Sequence, residues 1–220
     1  MWRKNRRALG GNLFGIDLNR NFDYSFGKYG TTTDESDMFY CGPRPFSEPE
    51  TSALADFVAI EKLKAKGLKF YFAIHGYGQK IIIPYADRIK HIDNFGEAEN
   101  FARQAIYEMY LKHKVHYGIG TIFDTVGLRV SGNSASFIKK THNVRFVYSL
   151  YLRDNGTYGY ALPPAQILPT CQEALTGIIA LMTAKHRKMK MQLFNQGDQL
   201  KESNILIIFL ICILLQIFIG

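Results

Sequence analysis

Leu68-Lys69-Phe70-Tyr71-Phe72-Ala73-Ile74-His75-Gly76-Tyr77-Gly78 is the stretch whose reading decides the fold. Phe70 to Ile74 is apolar or aromatic without a break. A strand with one face in water alternates; a strand buried on both faces reads as a continuous run. Both faces of such a strand need covering layers, and the flanking sequence offers helices to make them. Ser47-Glu48-Pro49-Glu50 carries a helix-start pattern, with Ser47 capping, Pro49 in the first turn and Glu50 reaching back. The helix that follows is predicted to turn Leu54, Phe57, Val58 and Leu63 inward and to end near Gly67. Phe95, Ala98, Phe101, Ala102, Ala105, Ile106 and Met109 repeat at helical spacing. Ile81-Ile82-Ile83 and Arg145 to Leu152 read as further strands. Pro169-Thr170 reads as the opening of a last helix through Leu175, Ile178, Ile179 and Met182. Residues before about Pro45 read as strand fragments and long loops. Strands alternating with helices predict an α/β fold: a mixed, mostly parallel sheet with helices on both faces.

The 220 residues suffice for one domain with a sizeable core, and a hydrophobic fraction of 47% excludes a mainly disordered chain. The formal net charge of +8 has much of its excess at the ends, in Arg3, Lys4, Arg6 and Arg7 and in Lys185, Arg187, Lys188 and Lys190. No nucleic-acid motif accompanies it, so no nucleic-acid partner is expected. Cys41, Cys171 and Cys212 make an odd count without metal-ligand spacing. The opening residues lack the apolar core of a signal peptide. Ile205 to Ile219 is apolar except for Gln216. As a helix these residues reach about 22 Å, short of a bilayer core of about 30 Å. Following a polar spacer over 193–204, the segment 205–220 reads as a glycolipid-anchor signal, or else as a short membrane anchor.

His75 ends a buried strand and precedes glycines, which is where α/β sheets place their sites. It is either a site residue or a hydrogen-bonded structural histidine. Arg20, within Asn19-Arg20-Asn21-Phe22-Asp23, could grip a carboxylate bidentately, or pair with Asp17 or Asp23. His113-x-x-His116 has the spacing of a metal pair but sits among lysines, which favours a solvated helix end.

Six segments in order resemble the A/B-type zinc metallocarboxypeptidases. They are Trp2-Arg3-Lys4-Asn5-Arg6, Gly15-Ile16-Asp17-Leu18-Asn19-Arg20-Asn21-Phe22-Asp23, Ser47-Glu48-Pro49-Glu50-Thr51, Ile74-His75-Gly76-Tyr77-Gly78-Gln79, Leu152-Arg153-Asp154-Asn155-Gly156-Thr157-Tyr158-Gly159 and Pro169-Thr170-Cys171-Gln172-Glu173. The likeness is strongest to the B and O members, and the apolar tail points to the O type. The resemblance implies a protein that releases C-terminal residues from peptides, with zinc polarising the scissile carbonyl and a glutamate as general base. By resemblance His75 is the family's later zinc ligand and Arg3 its oxyanion-stabilising arginine. Asn19 and Arg20 match the pair that holds the substrate's terminal carboxylate. Tyr77 and Tyr160 fall at substrate-pocket positions, and Ala135 falls at or beside the position that sets residue preference. Peptide C-termini, and a membrane through the tail, are the implied partners; a monomer at the cell surface is the implied state, given a signal peptide upstream.

The sequence departs from that pattern where the chemistry resides. None of the six histidines is followed three residues later by Glu, so the family's His-x-x-Glu ligands are absent. Residues 1–192 are accordingly expected to be the C-terminal part of a catalytic domain, an incomplete carboxypeptidase fold. A catalytic zinc needs three protein ligands, and only His75 is present. Tyr151 occupies the position of the glutamate base, and a phenol with an ordinary pKa near 10 is protonated at neutral pH. Family members with Asp at the position of Ala135 prefer basic residues and those with Arg prefer acidic ones; alanine gives neither. Leu13, Ser36 and Gly27 stand where family disulfides have cysteines. The expectation is an inactive family member, set beside two alternatives: a non-catalytic module that binds peptide C-termini, and a decayed gene product.

Overall fold

The structure, a computed structural model, describes residues 2–63 and 67–194. A short antiparallel pair, β1 (Ala8–Gly10) and β2 (Leu13–Phe14), precedes a single 3-10 turn over Leu18–Arg20. The elements α1 (Pro49–Leu63), β3 (Phe70–His75), β4 (Lys80–Ile82), α2 (Phe95–His113), β5 (Gly118–Gly120), α3 (Ile122–Val126), α4 (Ser134–His142), β6 (Phe146–Tyr151) and α5 (Pro164–Phe194) follow. The main sheet has the order β3-β6-β4-β5. β3 pairs with β6 and β4 with β5 in parallel, while β4 and β6 run antiparallel. The expected mixed, mostly parallel sheet is therefore present.

Side-chain alternation sorts β3 and β6 into two cores. Phe70, Phe72, Phe146, Tyr148 and Leu150 point to one face and pack with Phe101, Ala105 and Met109 of α2 and Ile178 and Leu181 of α5. Tyr71, Ala73 and Val147 point to the other and pack with Leu54 and Val58 of α1 and Phe137 and Ile138 of α4. His75 continues the second set on β3, and Ser149 and Tyr151 continue it on β6. The side chains that end both strands thus emerge on the face covered by α4.

Three local expectations need correction. Phe57 and Leu63 are exposed, because the buried stripe of α1 runs through Leu54, Val58 and Glu61 at i, i+4 and i+7. Ser47 does not cap α1; its hydroxyl donates to Glu48 Oε1, and Asn21 Oδ1 instead accepts from Glu48 N and Thr51 Oγ1. The last helix opens at Pro164 and runs through Pro169. The ring of Pro169 leaves no N–H for the preceding turn, and the neighbouring Thr170 hydroxyl donates to the Gln166 carbonyl at 2.6 Å.

The loop after β6 is fastened to α5 by Arg153, whose Nε and Nη2 donate to Glu173 at 2.6 and 2.8 Å. Glu173 is fully buried. Removing the arginine leaves that carboxylate uncompensated, which typically costs about 3–5 kcal/mol. Arg153→Ala is therefore expected to lower the unfolding free energy by about 3 kcal/mol in urea denaturation. Arg153→Met combined with Glu173→Leu should recover most of it, because no buried charge then remains.

Candidate functional site

The parallel strands β3 and β6 end side by side, with His75 opposite Tyr151 in register. Their rings stack at 5.0 Å between centroids, inclined by 30°. They open into a cavity of about 930 Å³ that Arg3, Asn19, Arg20, Ala135 and Tyr160 also line. Of the residues that resemblance assigns to a site, all but Tyr77 line this one space. Tyr77 sits behind it, edge-on to Tyr160 at 4.9 Å.

Asp17, fully buried, organises the cationic wall. Its Oδ2 accepts from Arg3 Nε at 2.8 Å and lies 3.9 Å from Arg20 Nη1, while Oδ1 accepts from the backbone of Asn19. Arg20 Nε donates to the Gly30 carbonyl at 2.7 Å and Nη1 to the Asn19 carbonyl at 2.9 Å. Its Nη2 has no hydrogen-bond partner among the described residues. Asn19 Oδ1 accepts from Ser134 N at 3.1 Å, so the amide turns its unpartnered Nδ2 the other way. Gly132 closes the wall from behind, with φ +67°; a Cβ there would overlap the Arg20 carbonyl. Two guanidinium groups thus share a single carboxylate, leaving the wall one positive charge in excess and several N–H donors unused.

The neighbours of that wall carry no compensating charge. Burial first, and then the positive Arg3 and Arg20, push the His75 pKa down to about 4. The imidazole is neutral at pH 7, and neither ring nitrogen is hydrogen-bonded among the described residues. Burial raises the Tyr151 phenol above its ordinary value, with Arg20 and Arg3 opposing the shift. At neutral pH it keeps its proton and cannot serve as a general base.

The expected zinc finds no site here. Among the described residues no group of three His, Cys, Asp or Glu side chains could hold a metal ion. The residues present therefore do not fit a three-ligand zinc. His113 is engaged with the Thr176 hydroxyl at 2.8 Å, and His116 lies against the Tyr110 ring. Cys41 and Cys171 are free.

Sequence reasoning missed Asp17 as the organiser of both arginines, and it missed Ser134 and Ser149 on the cavity wall. Counting back by two from Tyr151 along β6 would have placed Ser149 on the same face.

The sequence profile of the zinc carboxypeptidase family matches residues 1–177. Carboxypeptidase O of Bos taurus is 33% identical over 189 residues, which are 86% of this chain and 49% of that protein. Carboxypeptidase O of Homo sapiens is 35% identical over 190 residues, 84% of this chain and 50% of that protein. The chain spans about half the length of the curated relatives it matches. Among solved structures, bovine thrombin-activatable fibrinolysis inhibitor in complex with tick carboxypeptidase inhibitor is similar at a TM-score of 0.77 and 32% identity. That match covers 86% of this chain and 63% of the other.

Proposed function

The chain belongs to the zinc carboxypeptidase family, and from that premise we propose that it holds the free C-terminal carboxylate of peptides without hydrolysing them. The observation that carries the reading is the excess of donors over acceptors at one cavity wall. Asn19 Nδ2 and Arg20 Nη2 are unpartnered there, and Asp17 is already taken by Arg3. An Arg–carboxylate pair supplies two parallel charge-assisted bonds, which suits the end of a peptide better than any internal carbonyl. Arg3 would border the last peptide group, and Tyr160 would flank the entering chain. Catalysis is discounted because Tyr151, protonated at neutral pH, stands in the place of the base.

Residues 1–192 are read as part of a catalytic domain. The spacer 193–204 and the apolar segment 205–220 are read as a glycolipid-anchor signal; all but the first two residues of this stretch lie outside the described residues. With a working signal peptide the product would be a monomer at the cell surface, released by a phosphatidylinositol-specific phospholipase.

The test is a matched pair of peptides, one ending in a free carboxylate and one amidated, titrated calorimetrically into the full chain. The acid should bind at least about tenfold more tightly, since hydrogen bonds to charged groups contribute about 1.5–3 kcal/mol. Equal binding would remove the reading. Zinc is expected to bind weakly in the same instrument. A tight one-to-one site abolished by His75→Ala would reveal ligands that the described residues do not supply.

A further inference from the structure

We propose that Asn155, in the loop between β6 and α5, is a site of N-linked glycosylation. Asn155-Gly156-Thr157 is the only place in the 220 residues where an Asn is followed two positions later by Ser or Thr. That spacing, with any residue but proline between, is the acceptor pattern of proteins that pass through the secretory route. The inference rests on the cell-surface reading above, because the sugar donor is met only on that route.

The pattern alone is common, and its placement is what gives it weight. Asn155, Gly156, Thr157 and Tyr158 are all exposed. The loop is nevertheless a formed turn. The Asp154 carboxylate accepts from the backbone N–H groups of Gly156, Tyr158 and Gly159 at 2.9, 2.6 and 3.1 Å. One buttressing side chain therefore fixes the backbone, and no hydrogen bond ties the side chain of Asn155 or Thr157 to another described residue. Gly156 has φ +107°, a conformation that L side chains rarely adopt, so glycine is the residue that lets the turn form between the two acceptor positions. On its inner side the turn lies against Tyr77: a Cβ on Gly156 or Gly159 would come 3.7 or 3.3 Å from that ring. Tyr77 meets Tyr160 edge-on, and Gly159 and Tyr160 line the cavity. The acceptor thus stands on the turn that forms part of the rim. Tyr158 and Tyr160, 47% and 50% exposed, are aromatic surface that a bulky, solubilising group beside them would cover.

Transfer forms a bond from Asn155 Nδ2 to C1 of the first sugar of a lipid-pyrophosphate-linked oligosaccharide. The C1–O bond to the pyrophosphate breaks, the lipid pyrophosphate leaves with the electron pair, and the amide nitrogen gives up one proton to the transferase. The amide keeps its carbonyl and its second N–H, and nothing is oxidised or reduced.

The test is translation of the full chain behind an added signal peptide in the presence of microsomes. Protection from protease identifies the translocated chains, and digestion with peptide N-glycosidase identifies the glycan. Translocated chain should show a single glycosidase-sensitive shift in mobility, with position 155 converted to aspartate on release of the glycan. Asn155→Gln and, separately, Thr157→Ala should each abolish the shift, and Thr157→Ser should retain it. A translocated chain without the shift overturns this inference alone, as does a shift that survives both Asn155→Gln and Thr157→Ala. In cells, a glycosylated chain that the phospholipase does not release removes the anchor reading and leaves this inference standing.

Discussion

Replacing Tyr151 by Glu is expected to raise peptide hydrolysis by about 10²–10⁴-fold in a chimaera that joins the N-terminal half of an active zinc carboxypeptidase to this chain. The half-length match to the curated relatives makes such a fusion a natural one to build. His75, neutral and with unengaged ring nitrogens, is in the state a metal ligand requires. What the unaltered chimaera lacks is a proton acceptor. Tyr151 lies at the end of β6, opposite His75, and burial holds its phenol above the ordinary pKa. Near neutral pH it stays protonated, so general-base assistance is absent. A carboxylate at the same position would be drawn toward its charged form by Arg3 and Arg20. The effect should fall on kcat and leave substrate affinity nearly constant, because the carboxylate-binding donors are untouched. Steady-state hydrolysis of one peptide by the two chimaeras makes the comparison. Equal rates would mean that position 151 does not limit the chemistry.

Arg20→Ala carries the second large effect. It should weaken binding of a free-acid peptide about 10–100-fold and leave the amidated peptide nearly unaffected. Arg20 is 8% exposed and its guanidinium is held by two backbone carbonyls, so its remaining donors are aimed before any ligand arrives. Preorganisation of this kind lowers the ordering cost of binding. Arg20→Lys keeps the charge and loses the planar fork, and should recover only part of the affinity. Asp17 retains Arg3 at 2.8 Å in either variant, so the buried carboxylate is not stranded. A ratio of acid to amide affinity that survives Arg20→Ala would place the carboxylate elsewhere.

The sheet was legible because its signal is local. β3 and β6 are short, continuous apolar runs, and α2 repeats at helical spacing over more than three turns. The helix starts were less legible. Pro169 carries a start signal, yet the opening is set by Pro164 five residues earlier. The start of α1 is held by Asn21, distant in sequence, through Glu48 N and the Thr51 hydroxyl, and no pattern around Ser47 contains that information. Phe57 falls one position and Leu63 two positions off the buried stripe, an error that apolar residue type alone cannot prevent.

The site divides in the same way. Arg3, Asn19, Arg20 and His75 are placed on one wall by resemblance, and the fold does bring them to one cavity. From the residues alone, Arg20 was balanced between a ligand and a pair with Asp17 or Asp23. The structure shows why both descriptions had force: Asp17 lies 3.9 Å from Nη1, but its short bond goes to Arg3. Ser134 and Ser149 were invisible because serine in a strand or at a helix start is common and carries no signal of its own. Their place on the cavity wall arises only where α4 covers the ends of β3 and β6.

The central claim, recognition of a peptide C-terminus without cleavage, is tested most directly by the full chain with excess zinc and a saturating free-acid peptide. Calorimetry gives the affinity, and mass spectrometry of the same mixture after prolonged incubation gives the fate of the peptide. The account predicts carboxylate-dependent binding and a peptide recovered intact. Steady release of its last residue, in proportion to the concentration of the chain, would contradict it.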